Sequence, residues 1–247
     1  MGKRVFVKFG KKEHLEAIIK GMIRFAPSQL YIKMEEELHN KGQGDLLEGK
    51  WIIHSESMKM ISDDTGEINE IPYKSKITIG IENVNNIPVF CITEYNDKYI
   101  SDKGILTVPN DELESIKQGF PKATHALIIL EDELFIKAVQ SLDGHKIISD
   151  RVHYYDYDIN DIRMLSYLTS GDEYSYQKGN GRQSMTYKNR YRHLLCKDDS
   201  FSNQNEYRFI VLDELSDIPL FYSIEYTGKY KIVEIDDLRM PINLESR

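Results

Sequence analysis

Gln204-Asn205-Glu206-Tyr207-Arg208-Phe209-Ile210-Val211-Leu212 is the stretch that decides how this chain of 247 residues folds. A polar turn, Ser200-Phe201-Ser202-Asn203, runs straight into an apolar alternation. Tyr207, Phe209 and Val211 fall on one face and Arg208, Ile210 and Leu212 on the other, the period-two pattern of a strand. Glu206 stands where the loop becomes that strand. A backbone ladder fixes a carboxylate there while leaving it able to face a cleft, and catalytic carboxylates are commonly presented in this way. The plainer reading is an ion pair, because Arg208 is its same-face neighbour two residues on.

Immediately upstream, 174–197 contrasts most with the rest of the chain. It holds Lys178, Arg182, Lys188, Arg190, Arg192 and Lys197 and no acid, although the net charge of the whole is −8. Tyr174, Tyr176, Tyr187 and Tyr191 are interleaved with these cations, and Gly179 and Gly181 loosen the middle. Cations beside aromatic faces suit a nucleotide-type ligand, with a phosphate and a ring, or a protein partner. A solvated surface loop is the alternative. Lys178-Gly179-Asn180-Gly181-Arg182 lacks the strand–loop–helix frame of a nucleotide-binding glycine motif.

Farther upstream the pattern predicts a helix over 162–168 and one long strand over 146–157, entered from the turn Asp143-Gly144. A helix over 132–141 carries Leu134, Phe135, Ala138 and Val139, and 125–130 reads as a buried strand. Asn110 is expected to cap a short helix whose Asp111, Glu112 and Lys117 follow the helix dipole. Between 51 and 95 the pattern is β, with a hairpin turn at 63–66 and connections too short for crossover helices. The N-terminus reads as a strand over 4–9, then a helix with Leu15, Ile18, Ile19 and Met22 on one stripe. A short strand over 23–25 follows, then a helix opened by Pro27-Ser28. Two strands around 221–226 and 230–235 complete the set. The expected architecture is α+β, a single domain over 1–247, mainly an antiparallel mixed sheet with helices packed to one side.

Residues 42–49 read Gly-Gln-Gly-Asp-Leu-Leu-Glu-Gly, with Asp45 and Glu48 projecting from a glycine-rich turn. Two carboxylates supply too few oxygens for Mg²⁺ or Ca²⁺, so Asp45 is expected to accept backbone amides instead. Asp45, Glu48 and Lys50 also mimic a nuclease set, without the strand framework such a site needs. No histidine has a second one at metal-ligand spacing, and no metal site is expected. The composition, 40% hydrophobic and 29% charged, is that of a soluble globular protein. No apolar run approaches the roughly 20 residues of a membrane span, which predicts no membrane partner. Cys91 and Cys196 lie far apart and fit a reducing, cytoplasmic setting. The net charge of −8 excludes a general nucleic-acid coat.

Two resemblances rest on these residues. Val5-Phe6-Val7-Lys8-Phe9-Gly10 with His14-Leu15, Gly21 and Phe25, Tyr31 with Glu35, Gly44-Asp45 with Glu48-Gly49, Val89-Phe90-Cys91, and Phe201 with Gln204-Asn205-Glu206-Tyr207-Arg208 resemble a large uncharacterised family. It is bacterial and phage-borne, and its relatives are associated with abortive infection and other conflict systems. That resemblance implies a setting, defence or anti-defence, and no activity. The second is local: Gln204-Asn205-Glu206 resembles the Gln-x-Glu turn of ADP-ribosyltransferases, which implies Glu206 as catalytic glutamate and Gln204 as the residue orienting the acceptor. It also implies NAD as cofactor, with Thr169 and Ser170 as a remnant of the pocket-shaping serine–threonine–serine element. Tyr187, Arg190 and Arg192 would then hold NAD. Where such enzymes carry arginine or histidine on the first core strand, this chain has Lys8, a point charge without the bidentate fork of a guanidinium.

Overall fold

The computed structural model describes residues 3–38, 45–62, 64–71, 74–169 and 187–245. Its centre is an eight-stranded sheet. In chain order the strands are β1 (Val5–Gly10), β2 (Met22–Pro27), β3 (Pro88–Tyr95), β4 (His125–Ile129), β5 (Ile147–Arg151), β6 (Glu206–Val211), β7 (Leu220–Ser223) and β8 (Tyr230–Glu234). The helices are α1 (Lys12–Ile19), α2 (Gln29–Leu38), α3 (Asn110–Gly119), α4 (Asp132–Gln140) and α5 (Ile162–Thr169). Across the sheet the order is β5-β6-β3-β1-β4-β8, with β2 joining β3 and carrying β7 outside it. Every pairing in this sheet is antiparallel.

Both faces of the sheet are buried, which is why β1, β3 and β6 carry apolar side chains on both sides, interrupted in β1 by Lys8 and in β6 by Glu206 and Arg208. One face puts Phe6, Phe90, Ile92, Phe209 and Val211 against Leu15 and Ile18 of α1 and Phe135 and Val139 of α4. The other puts Val5, Val7, Phe9 and Tyr95 against Leu113 and Ile116 of α3. The α+β class is as expected from the pattern, but α3 lies opposite α1 and α4, so the helices are not confined to one side. The strand alternation cannot reveal this, because both sets of side chains are equally apolar.

Three local expectations are corrected. Met22 does not continue the α1 stripe; the helix ends at Ile19, and Met22 opens β2 with its side chain exposed. Gly21, at φ 92°, makes the reversal, and a Cβ there would lie 2.5 Å from the Ile224 carbonyl oxygen. Asn110 is the first residue of α3 and makes no cap; Pro109 occupies the capping position without a side-chain bond. The strand expected over 146–157 is broken at Val152: β5 pairs with β6, whereas His153–Tyr155 leaves the sheet and runs parallel to Cys196–Asp198.

Two antiparallel ladders make one long hairpin, Lys50–Ser55 pairing with Ser75–Gly80 and Met58–Ile61 with Ile68–Ile71. Its base packs through Ile52 onto Tyr155, Tyr157, Met164 and Leu168. Among the described residues no helix is long and apolar enough to cross a membrane.

Candidate functional site

Glu206 begins β6 and pairs with Thr93 of β3, which pairs in turn with Val7 of β1. Arg208 is one pleat farther and opposite Cys91. Both project to the α3 face, where an apolar lid would otherwise lie. What covers them is built from two distant stretches. The turn at 45–49 brings Glu48, and the 3-10 run Tyr187–Leu195 followed by Cys196–Asp198 brings Lys197.

The result is a closed ionic group. Arg208 donates from Nε to Glu206 Oε2 at 2.7 Å, from Nη1 to Glu48 Oε1 and the Leu194 carbonyl, and from Nη2 to Glu48 Oε2 at 3.2 Å. Lys197 Nζ donates to Glu206 Oε1 at 2.6 Å and to Gln204 Oε1 at 2.8 Å, and lies 4.4 Å from the centre of the Phe201 ring. The Glu206 backbone N–H donates to the Tyr154 hydroxyl at 2.9 Å, a contact made available by the break at Val152. Side-chain exposure is 3% for Arg208, 2% for Glu48, 5% for Lys197 and 10% for Glu206.

The electrostatics follow from this geometry. Burial alone would raise the Glu206 carboxyl, but Arg208 and then Lys197 outweigh it by charge and by hydrogen bonds, holding it well below the usual carboxylate range. Burial pulls Arg208 and Lys197 down, and the acids around them more than restore both. Asp45 differs. Burial, with Glu48 beside it, pushes its carboxyl up to about 7, while its Oδ1 accepts the Leu47 amide at 2.9 Å as the sequence led us to expect. Gly49 closes that turn at φ 70°, and a Cβ there would collide with the Asn85 side chain, so glycine lets the turn seat Glu48 under Arg208.

The expected site residues are therefore placed as follows. Gln204 and Glu206 meet, on Lys197. Arg208 is the partner that strand spacing suggested. Lys8 lies across β3 from Glu206 and donates to the Cys91 carbonyl. Arg192 turns inward, donating from Nη1 to the Tyr167 carbonyl at 2.7 Å with its guanidinium over that ring, and Arg190 is buried. Ser170 lies outside the described residues, as do the side chains of Thr169 and Tyr187 and the whole of 174–186. A shallow depression on the long hairpin, lined by His54, Glu56, Lys74 and Lys76, shares no residue with this group. Among the described residues no set of histidine, cysteine and carboxylate side chains could hold a metal ion.

Lys197 and Glu48 were not singled out by sequence as partners of Glu206 and Arg208. Glu48 and Arg208 stand 160 residues apart, beyond any periodicity. Comparison with protein-family models, with curated proteins and with solved structures finds no match to this chain.

Proposed function

We propose that this chain is a binding protein of phage–host conflict, serving defence or anti-defence, which takes a protein or nucleotide-type ligand through the basic, tyrosine-rich stretch 174–197. The observation that favours a binder over a transferase is the state of Glu206. Lys197 holds one of its oxygens and Arg208 the other. A carboxylate that stabilises an oxocarbenium-like ribose must offer its charge to the developing cation, and here both oxygens are already held and their charge offset by two buried cations. The acid-free composition of 174–197 supports the ligand side of the reading through Lys178, Arg182 and the tyrosines, since Arg190, Arg192 and Lys197 turn inward and cations with tyrosines are what such interfaces use.

The test is NAD-dependent thermal shift and nicotinamide release, measured for the parent and for Glu206→Gln with a protein acceptor present. A binder shows neither response in either protein, while Lys178→Glu combined with Arg182→Glu abolishes its association with its partner. A rise in melting temperature with NAD, and nicotinamide released by the parent but not by Glu206→Gln, would establish the ADP-ribosyltransferase-like alternative instead.

A further inference from the structure

The central strand changes partner partway along its length. β3 pairs with β1 at Thr93, Glu94 and Tyr95 and with β2 at Pro88 and Val89, so Phe90, Cys91 and Ile92 face a gap between β1 and β2. Continuing either ladder would set Phe9 or Arg24 opposite Cys91, and the two strands diverge before that point. The Lys8 side chain enters the gap, its ammonium donating to the Cys91 carbonyl and lying 4.9 Å from the centre of the Phe90 ring. Among the described residues Lys8 makes no ion pair, and neither the exposed Arg24 guanidinium nor the Tyr31 hydroxyl of α2 has a hydrogen-bond partner.

These groups share one electrostatic environment. Cys91, Glu206 and Arg24 all bear on both Lys8 and Tyr31. Burial holds the Lys8 ammonium below its ordinary range and the Tyr31 phenol above its own, so the phenol keeps its proton as a donor. A desolvated ammonium bonded to one carbonyl, with Glu206 too distant to pair and offsetting its burial only in part, carries a cost that an anion would relieve further. Beside them Phe221 is the cross-strand partner of Arg24 and is 62% exposed.

We propose that this gap is an anion-binding notch for a nucleotide-type ligand, in which Lys8, Arg24 and Tyr31 hold a phosphate and Phe221 offers its face to the base. The donor set is one cation on a strand bonded to backbone, one forked guanidinium and one neutral hydroxyl, which suits the several oxygens of a phosphate. Base–aromatic stacking on an exposed ring tolerates any base, so the notch selects for the phosphate and not for the identity of the base. It involves no residue of 174–197 and stands whether or not that stretch binds.

Calorimetric titration of the full chain with inorganic phosphate, pyrophosphate, adenosine and ADP tests this. ADP is expected to bind more tightly than pyrophosphate, pyrophosphate more tightly than phosphate, and adenosine not measurably. Arg24→Ala should leave the ligand-free melting temperature unchanged and weaken ADP and pyrophosphate alike by about tenfold or more. Phe221→Ala should bring ADP down to the affinity of pyrophosphate, and Tyr31→Phe should weaken both ligands to a lesser degree. The proposal is overturned if neither pyrophosphate nor ADP binds the parent at millimolar concentration. It is equally overturned if Arg24→Ala and Tyr31→Phe bind as the parent does, or if adenosine binds as tightly as ADP.

Discussion

Two groups of cations lie on either side of β3, and they differ in one respect. Around Glu206, two cations meet two carboxylates, and Arg208 and Lys197 each have at least two acceptors. In the gap between β1 and β2, among the described residues, Lys8 has a single carbonyl oxygen as acceptor and Arg24 and Tyr31 have none. The same residue types are saturated in one place and unsatisfied in the other. A saturated buried group fixes how chain segments meet and is closed to ligands, whereas an unsatisfied one is where a ligand gains most. Charge content alone, which drew attention to 174–197, does not separate the two cases; the count of acceptors does.

That contrast fails first, if it fails, at Arg208. Arg208→Ala leaves Glu48 and Glu206 buried without their guanidinium, and we expect a loss of roughly 3–5 kcal/mol in urea unfolding. A loss under about 1 kcal/mol would mean that the group is not closed, and would reopen Glu206 to chemistry.

The segment that covers the group carries its own sensitivity. His193 is 1% exposed, neither ring nitrogen has a hydrogen-bond partner, and burial pushes it down to about 4. The unfolded chain takes up this proton near pH 6.5 and the folded protein only near pH 4, so stability falls as pH drops through that window. Relative to His193→Leu, the parent should lose about 3 kcal/mol between pH 7 and pH 4, read from urea midpoints across pH. Parallel curves for the two proteins would show that the ring is solvated or bonded in solution.

Asp45 gives the opposite slope. Its folded carboxyl titrates near 7 against 3.8 for the free group, so the fold holds a proton that the unfolded chain has released, and stability declines as pH rises between those values. Asp45→Asn keeps the acceptor for the Leu47 amide and removes the titration. It should match the parent at pH 4 and exceed it by on the order of 2 kcal/mol at pH 8. An Asn variant less stable than the parent at pH 8 would place an ionised Asp45 inside the group as a working third acid.

The smallest effect belongs to the unsatisfied side. Arg24→Ala removes an exposed guanidinium that bonds to none of the described residues, and should change the ligand-free stability by less than about 0.5 kcal/mol. A larger loss would reveal a structural partner and remove the contrast.

Much of the scaffold is legible in the sequence. Alternation locates β1, β3, β4 and β6, and helical spacing locates α1, α2, α4 and α5, because each presents a single consistent period. Boundaries fail where two periods abut, as at Met22, which is apolar enough to extend the α1 stripe but begins β2. They fail also where a strand leaves its sheet without a glycine or proline to mark it, as at Val152. Of the site, the Glu206–Arg208 pair is readable because strand geometry puts residues two apart on one face. Glu48 and Lys197 are not, because their approach to Arg208 and Glu206 is set by packing of the 45–49 turn and the 187–204 segment. The gap holding Lys8 is hidden for a related reason: it exists only because β3 exchanges one partner for another.

The sheet order has a further consequence during synthesis. β3 emerges from the ribosome after residue 95, yet β6, which covers one of its long edges through the Glu206–Ile210 rungs, is not complete until residue 211. For the translation of more than a hundred residues, the nascent chain carries an apolar strand with an open edge. Such an edge templates pairing with other chains, so ribosome-associated chaperoning of this interval, more than the stability of the finished fold, should govern how much soluble protein a cell obtains.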